Sequence, residues 1–187
     1  MVLHFLRYLN KGSIVEVNSS MDFVKDDKVN YDRLCKITAI TESGFFGSVV
    51  QDVITKPTLK MLEISGEKGT IQWFVGYDSK NHAVLLNEFD KDEPQIHLIP
   101  MSRRGDFILE IKHLEDLLDN KVSINESPIS INKGLETMMV IAAAHVSNEN
   151  KRSVTVDYSK DYDLDSQDFE CGNVQEYYLD MTTGKVS

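Results

Sequence analysis

Between Ile14 and Pro100, apolar and polar residues alternate with the period of two that is typical of β-strands. Glycines between neighbouring runs, such as Gly44 and the pair Gly66 and Gly69, indicate tight turns because glycine tolerates positive φ. Turns this short join antiparallel neighbours. The alternating runs are 14–18, 35–40, 45–55, 59–65, 70–75, 83–87 and 95–98, with a last run at 153–157.

Three other segments carry apolar residues at helical spacing, and the first of them is 2–9. In the second, apolar residues recur at i, i+4, i+7 and i+11, which predicts an amphipathic helix that packs one face on a sheet; these residues are Phe107, Ile111, Leu114 and Leu118. The third, 135–146, is apolar almost all round and is predicted to be buried, with Ser130 as its N-cap. Strands combined with segregated helices predict an α+β fold.

Composition narrows the class of protein. The chain has 187 residues, 41% of them hydrophobic and 27% charged, which suits one globular domain. Its net charge is −10 and its Lys and Arg residues are scattered, which argues against nucleic acid and anionic lipid as partners. The longest apolar stretch, 138–144, falls far short of the roughly 20 residues of a transmembrane helix. We therefore expect no membrane span.

The cysteines and the two ends of the chain add three expectations. Cys35 and Cys171 lie far apart and no secretory leader is present, which predicts a cytoplasmic protein. Acidic residues crowd the C-terminal part, so we predict a folded domain over 1–162 and an acidic extension over 163–187. The helical pattern begins at the first residues without an N-cap, so an upstream partner is expected.

Motifs that bind cofactors or present nucleophiles are absent from the sequence. It contains no G-x-G-x-x-G, G-x-x-x-x-G-K-[ST], C-x-x-C, H-E-x-x-H or G-x-S-x-G pattern. The five histidines are dispersed, which predicts no metal site. His113 and Glu110 share a helix face at i, i+3, a spacing typical of surface electrostatics. The chain is therefore expected to lack a complete catalytic site of its own.

Four polar residues lie at the end of the longest strand, next to Pro57, and they are Gln51, Asp52, Thr55 and Lys56. Side chains that donate and accept hydrogen bonds at the end of a strand suit a polyol or sugar. The alternative is that they merely finish an edge strand, where polar residues are common. Gln51, Asp52 and Lys56 are the predicted substrate-binding residues.

Several stretches of the chain carry a recognisable pattern in order and spacing over most of residues 1–162. They are His4-Phe-Leu-Arg-Tyr-Leu9, Gly47-Ser-Val-Val-Gln-Asp-Val-Ile-Thr-Lys-Pro57, Gly66-Glu-Lys-Gly-Thr-Ile-Gln-Trp73, Ser127-Pro-Ile-Ser130, Gly134-Leu-Glu-Thr-Met-Met-Val-Ile-Ala-Ala-Ala-His145 and Val154-Thr-Val-Asp-Tyr158. This pattern resembles the Gfo/Idh/MocA family of NAD(P)-dependent oxidoreductases, typified by glucose-fructose oxidoreductase and inositol dehydrogenase. The resemblance is to the C-terminal domain of that family.

The resemblance implies an open, largely antiparallel sheet with helices packed on one face. In this family a separate N-terminal Rossmann domain binds NAD(P), so this chain is expected to bind no cofactor itself. The family's sheet face commonly mediates homo-oligomers, and the sheet edge near the cofactor helps to hold a sugar-like substrate. A homo-oligomer through the sheet face, a missing or separate Rossmann domain and a sugar-like small molecule are therefore the implied partners.

The family's catalytic residues are a lysine in a Glu-Lys-Pro motif of the Rossmann domain and an Asp and His four residues apart at the junction helix. This chain has neither Glu-Lys-Pro nor that Asp. An ungapped alignment of residues 5–9 places the family's histidine at Met1, whereas a two-residue deletion places it at His4. His4 is therefore the one catalytic candidate, and no other catalytic residue is assigned.

Two functions are consistent with these observations. In the first, the chain is the substrate-binding and oligomerisation half of an oxidoreductase acting on a sugar or cyclitol, inactive without a cofactor domain. In the alternative, it is a non-catalytic homo-oligomeric binding or scaffold module. The resemblance favours the first function, and the missing catalytic residues favour the second.

Overall fold

The computed structural model describes residues 12–26 and 29–158, which form eight strands and two helices. These residues fall into two compact units, of which the first ends at Ile54 and resumes at Pro128, and the second is Thr55–Ser127. In chain order the elements are β1 (Ile14–Lys25), β2 (Asn30–Thr41), β3 (Phe46–Asp52), β4 (Met61–Gly66), β5 (Gly69–Phe74), β6 (Asn81–Glu88), β7 (Gln95–Pro100), α1 (Arg103–Leu118), α2 (Ile131–Asn150) and β8 (Val154–Thr155).

The predicted α+β fold with antiparallel strands is confirmed. Within the described residues every strand pairing is antiparallel, and the strands form two four-stranded sheets in the orders β3-β2-β1-β8 and β4-β5-β6-β7. Each unit contains one sheet. The strands β1, β2, β3 and β8 belong to the first unit, and β4 to β7 belong to the second. The helix predicted at 2–9 and the acidic extension predicted at 163–187 lie outside the described residues.

The helix α2 packs on one face of the sheet β3-β2-β1-β8, and together they form the core of the first unit. Val17 opposes Ala39 across β1 and β2, and both side chains are buried beneath the helix. Ala143 and Ala144 are almost fully buried, and their small side chains allow α2 to approach the sheet closely. The buried apolar residues of this core are Ile14, Val17, Cys35, Ile37, Ala39, Val49, Val140, Ala143, Ala144 and Val156.

Ser130 occupies the predicted N-cap position of α2 with extended backbone dihedrals, but its side chain makes no capping hydrogen bond. At its other end the helix stops at Lys151, which adopts the left-handed conformation with φ 52°. A left-handed residue ends a helix because it turns the chain away from the helical path. The chain then enters β8, which pairs with β1.

Side chains of α2 complete the hydrogen bonding of β1 where the sheet itself does not. β8 has only two residues and pairs with Glu16 and Val17, so β1 extends well beyond it. Beyond that point the backbone N–H of Ser19 donates to Ser147 Oγ and the N–H of Met21 donates to Asn148 Oδ1, both at 2.9 Å. The end of the helix therefore takes the place of a neighbouring strand.

The hydroxyl groups of Ser19 and Ser147 also donate hydrogen bonds to backbone carbonyls of the helix and of the turn that follows it. Ser19 Oγ donates to the carbonyl of Ala144, and Ser147 Oγ donates to the carbonyl of Arg152 at 2.7 Å. Ser147 is fully buried and Ser19 nearly so. The Ser147 hydroxyl both donates and accepts and the Ser19 hydroxyl donates, so both buried serines are hydrogen-bonded within the core.

The second unit contains the antiparallel meander β4-β5-β6-β7 followed by α1. Ser102 caps α1, because its Oγ accepts from the N–H of Gly105 at 3.0 Å. The apolar stripe of α1 was predicted to pack on a sheet, but it is exposed in this chain. Ile108 and Leu109 are also apolar and exposed, so apolar residues surround the helix and one sheet face could not cover them. The exposed apolar residues of α1 are Phe107, Ile108, Leu109, Ile111, Leu114 and Leu118.

We predict that Ser147→Ala lowers the free energy of unfolding by about 1–3 kcal/mol, because the N–H of Ser19 is left buried without an acceptor. Urea unfolding followed by circular dichroism measures the loss. Ser153→Ala is the matched control, since Ser153 is an exposed serine in the turn just after α2. Equal loss in the two variants would show that Ser147 has no special role.

His145 generates a pH dependence of stability. It is half-buried on α2 with its ring centroid 6.2 Å from that of Phe23. Burial lowers the pKa of His145, and the charge of Asp32 opposes this effect only in part. The unfolded chain therefore takes up this proton more readily than the folded chain, and protonation favours unfolding.

We predict that the stability contributed by neutral His145 is present above the ordinary histidine pKa of about 6.5 and is lost as pH falls below it. Urea midpoints of the wild type and of His145→Gln, measured at neutral and mildly acidic pH, test this. The wild type is expected to lose more stability on acidification than His145→Gln. Parallel pH profiles would contradict the prediction.

Candidate functional site

The candidate residues Gln51 and Asp52 are the last two residues of β3, which is the edge strand of its sheet. Gln51 pairs with Cys35 and Asp52 pairs with Leu34 on β2. Because successive side chains of a strand point to opposite faces, these two side chains lie on different sides of the sheet. The strand therefore separates the two predicted substrate ligands.

Gln51 lies on the face of the sheet that α2 covers, and its own side chain is exposed at the edge. Its cross-strand neighbour Cys35 is buried. Burial, and secondarily the charge of Asp32, raises the pKa of the Cys35 thiol. A protonated, buried thiol is a poor nucleophile, so the chemistry available at this point is hydrogen bonding by the carboxamide.

Asp52 shapes the end of β3. Its Oδ1 accepts from the backbone N–H of Ile54 at 2.9 Å, which turns the chain out of the strand. The next residue, Val53, donates its N–H to the carbonyl of Arg33 at 3.2 Å. Asp52 thus has a structural role, in agreement with the alternative that these polar residues finish an edge strand.

The open face of the sheet brings further polar groups into line with Asp52. Asp22 and Asp52 both pair with Leu34, so the three residues form one row across β1, β2 and β3. Arg33 Nε donates to Asp22 Oδ2 at 2.8 Å, and both side chains remain about half exposed. The two carboxylates of this row and the guanidinium of Arg33 beside it can accept from and donate to hydroxyl groups. The sequence alone did not indicate Asp22 or Arg33.

Lys56, the third predicted ligand, belongs to the second unit, in which it is exposed and joined to Pro57 by a cis peptide bond. The predicted ligands Gln51 and Asp52 belong to the first unit. The catalytic candidate His4 lies outside the described residues.

His113 contacts a residue that the sequence did not connect to it. Its Nε2 lies 2.9 Å from Ser127 Oγ, where the sequence pattern had suggested a surface pair with Glu110. An imidazole beside a serine hydroxyl is the arrangement that activates a nucleophilic serine. However, Ser127 is fully buried, so a substrate carbonyl cannot reach its oxygen. The pair instead fastens the segment after α1 to the helix.

Metal-binding clusters and membrane-spanning helices are absent from the described residues. Across 12–26 and 29–158, no three His, Cys, Asp or Glu residues lie in an arrangement that could hold a metal ion. Over the same ranges, neither helix has the length and apolarity needed to cross a membrane.

Comparisons with known proteins identify solved structures that share this fold. No family model and no curated protein matches the chain. Among solved structures, 41 chains match. One is aldose-aldose oxidoreductase from Caulobacter crescentus complexed with glycerol, with a TM-score of 0.65, 20% sequence identity, and coverage of 82% of this chain and 44% of that chain.

Two other solved structures bind a nicotinamide cofactor. Levoglucosan dehydrogenase, in complex with NADH and levoglucosan, has a TM-score of 0.65 at 17% identity over 83% of this chain and 48% of its own. An oxidoreductase from Agrobacterium radiobacter, in complex with NAD+, L-tartaric acid and magnesium, has a TM-score of 0.62 at 20% identity over 82% and 46%.

Most of this chain matches each of these enzymes, but the match spans less than half the length of each enzyme. The structural neighbours are oxidoreductases of the Gfo/Idh/MocA type. The two antiparallel sheets and two helices correspond to one part of those larger chains. This chain therefore has the fold of the C-terminal domain of Gfo/Idh/MocA-type oxidoreductases.

Proposed function

We propose that the chain is the substrate-binding and oligomerisation half of an NAD(P)-dependent oxidoreductase that acts on a sugar or cyclitol. In this proposal the chain is inactive until a cofactor domain, on the same or another polypeptide, completes the site. We also infer that it works in the cytoplasm, where NAD(P) and reduced cysteines are found. Fold likeness supports this function by analogy, because function resides in sites and not in folds.

The observation that carries the proposal is the unequal coverage of the structural matches. Most of this chain is matched by levoglucosan dehydrogenase and aldose-aldose oxidoreductase, yet it spans under half of each. The first of those proteins binds NADH and levoglucosan, and the second is complexed with glycerol. A sugar-like substrate and a nicotinamide cofactor are therefore the chemistry we propose for the completed enzyme.

The surface of α1 supports a partner domain. Six large apolar side chains of this helix are exposed, and Leu118 reaches 83% exposure. Contiguous apolar surface on a globular protein commonly marks a contact with another protein or domain. A cofactor domain that covers this helix would remove that surface from water.

The exposed row on the first unit supports a hydroxyl-rich substrate. Asp22 and Asp52 offer carboxylate acceptors and Arg33 offers guanidinium donors on the open face of the sheet. These carboxylate and guanidinium groups match the alternating acceptors and donors of a polyol. The predicted ligand Gln51 offers a carboxamide at the edge of the other face of that sheet, and the predicted ligand Lys56 offers an ammonium group in the second unit.

We predict that the 187-residue chain binds neither NADH nor NADPH in a calorimetric titration, whereas a complex or longer polypeptide with an NAD(P)-binding domain oxidises a sugar or cyclitol. Reduction of NAD(P)+, followed by absorbance across a panel of aldoses and cyclitols, measures the activity. Micromolar binding of cofactor by the chain alone contradicts the proposal that a separate domain binds NAD(P). A complete complex that oxidises nothing in the panel contradicts the function.

In the completed enzyme, we expect Gln51→Ala, Asp52→Asn and Lys56→Ala each to raise KM for the sugar about threefold to tenfold, the cost of one hydrogen bond. Asp52→Asn keeps an oxygen that can accept from the N–H of Ile54, so it tests the charge without unfolding the turn. Ser48→Ala, an exposed serine on β3, is the control. Unchanged KM in all three variants would remove these residues from the substrate site.

The second candidate function, a non-catalytic homo-oligomeric module, is supported by the exposed apolar residues of the sheet in the second unit. Met61, Ile96 and Leu98 lie on one face of that sheet, and each is more than 40% exposed. Such surface suits association through the sheet. A chain that remains monomeric at micromolar concentration contradicts this candidate.

A further inference from the structure

Within the part of the chain that the structure describes, the strand β7 leaves an unprotected sheet edge. It is the last strand in the order β4-β5-β6-β7, and all six of its residues are exposed. Natural edge strands commonly carry a charge or a bulge that prevents pairing with another chain. β7 carries no charged residue, and its register with β6 is continuous from Gln95 to Pro100.

The direction of each backbone group of β7 follows from one hydrogen bond. The N–H of Met101 donates to the carbonyl of Lys80 at 2.8 Å, immediately after the pair Asn81 and Pro100. In an antiparallel ladder the bonded pairs alternate. Ile99, His97 and Gln95 therefore direct their backbone groups toward β6. Ile96, Leu98 and Pro100 direct theirs outward, away from the sheet.

The outward groups have a two-fold arrangement about His97. Ile96 and Leu98 lie one residue to either side of it, and each presents a free-edge N–H and carbonyl. Pro94 and Pro100 lie three residues to either side, and proline has no N–H to donate. The segment Pro94-Gln-Ile-His-Leu-Ile-Pro100 thus reads nearly the same in both directions.

We propose that β7 pairs antiparallel with β7 of a second copy of this chain, about a two-fold axis at His97. Ile96 then lies opposite Leu98 of the second copy, and each of these two pairs exchanges two backbone hydrogen bonds. The prolines oppose each other at both ends, where the ladder stops because neither can donate. Two four-stranded sheets become one continuous sheet.

The side chains are suited to this contact. Ile96 and Leu98 are 50% and 54% exposed and share one face, so the two copies bring four aliphatic side chains together. The other face places the two His97 side chains directly opposite each other. A second copy is favoured over an unrelated strand because its own reversed sequence supplies donors and prolines at the matching positions.

This inference rests on the proposed association through the sheet of the second unit, and it specifies the strand, the direction and the register. The two copies carry a net charge of −10 each, so their mutual repulsion opposes pairing, whereas β7 itself is uncharged. The association is therefore expected to strengthen as salt screens that repulsion.

The test is cross-linking by cysteine in the full chain, with Cys171→Ser as background. Residues directly opposite in a non-hydrogen-bonded pair have Cα atoms about 4.5 Å apart, within the range of a disulfide. His97→Cys is therefore expected to form a covalent dimer on mild oxidation. Ile99→Cys is the matched control, since Ile99 is an exposed residue on the same face of β7 but lies opposite Gln95 in the proposed register.

A second pair of variants tests the contact without oxidation. His97→Lys opposes two ammonium groups and is expected to weaken dimerisation about tenfold or more, whereas His97→Gln retains it. Light scattering measures the molar mass, and circular dichroism verifies that each variant is folded. A monomer at all micromolar concentrations overturns both this inference and the homo-oligomer proposal.

A stable dimer that His97→Lys leaves unchanged, and that His97→Cys cross-links no better than Ile99→Cys, overturns the β7 contact alone. In that case association through a sheet face stands. Selective cross-linking at position 97 together with dissociation of the lysine variant supports the inference.

Discussion

The first unit depends on how the amide groups of β1 are satisfied beyond its short pairing with β8. A buried N–H without an acceptor costs about as much as a lost hydrogen bond, so the space beside Ser19 and Met21 must hold an acceptor or admit water. Ser147 and Asn148 supply those acceptors from α2. The position of α2 is consequently set by directional hydrogen bonds as well as by apolar packing, which is not directional.

Much of the fold follows from local patterns in the sequence. The alternation around Cys35, Ile37 and Ala39 predicted β2, and the apolar segment after Ser130 predicted α2, because period and capping depend on nearby residues. The division into two sheets could not be predicted in this way. It depends on which strands pair across the chain, and the two bonds that hold β1 against α2 join residues 128 and 127 positions apart.

The candidate site was less predictable than the fold. The polar end of β3 was recognised, and the opposite directions of Gln51 and Asp52 follow from the period of a strand. The row formed by Asp52 with Asp22, and the bond from Arg33, required the register of three strands. The contact of His113 with Ser127 spans a loop whose path leaves no periodic signal, so the sequence offered no means to find it.

The second unit is a continuous segment that interrupts the first, since the chain leaves the first unit after Ile54 and returns to it at Pro128. The three strands that begin the first unit therefore leave the ribosome long before the helix that covers them. The inserted segment has all its own partners nearby in sequence and can form first, whereas the outer unit must close a long loop. Until that closure α2 does not cover the apolar face of β1 to β3, and a nascent chain with exposed apolar strands is prone to aggregation.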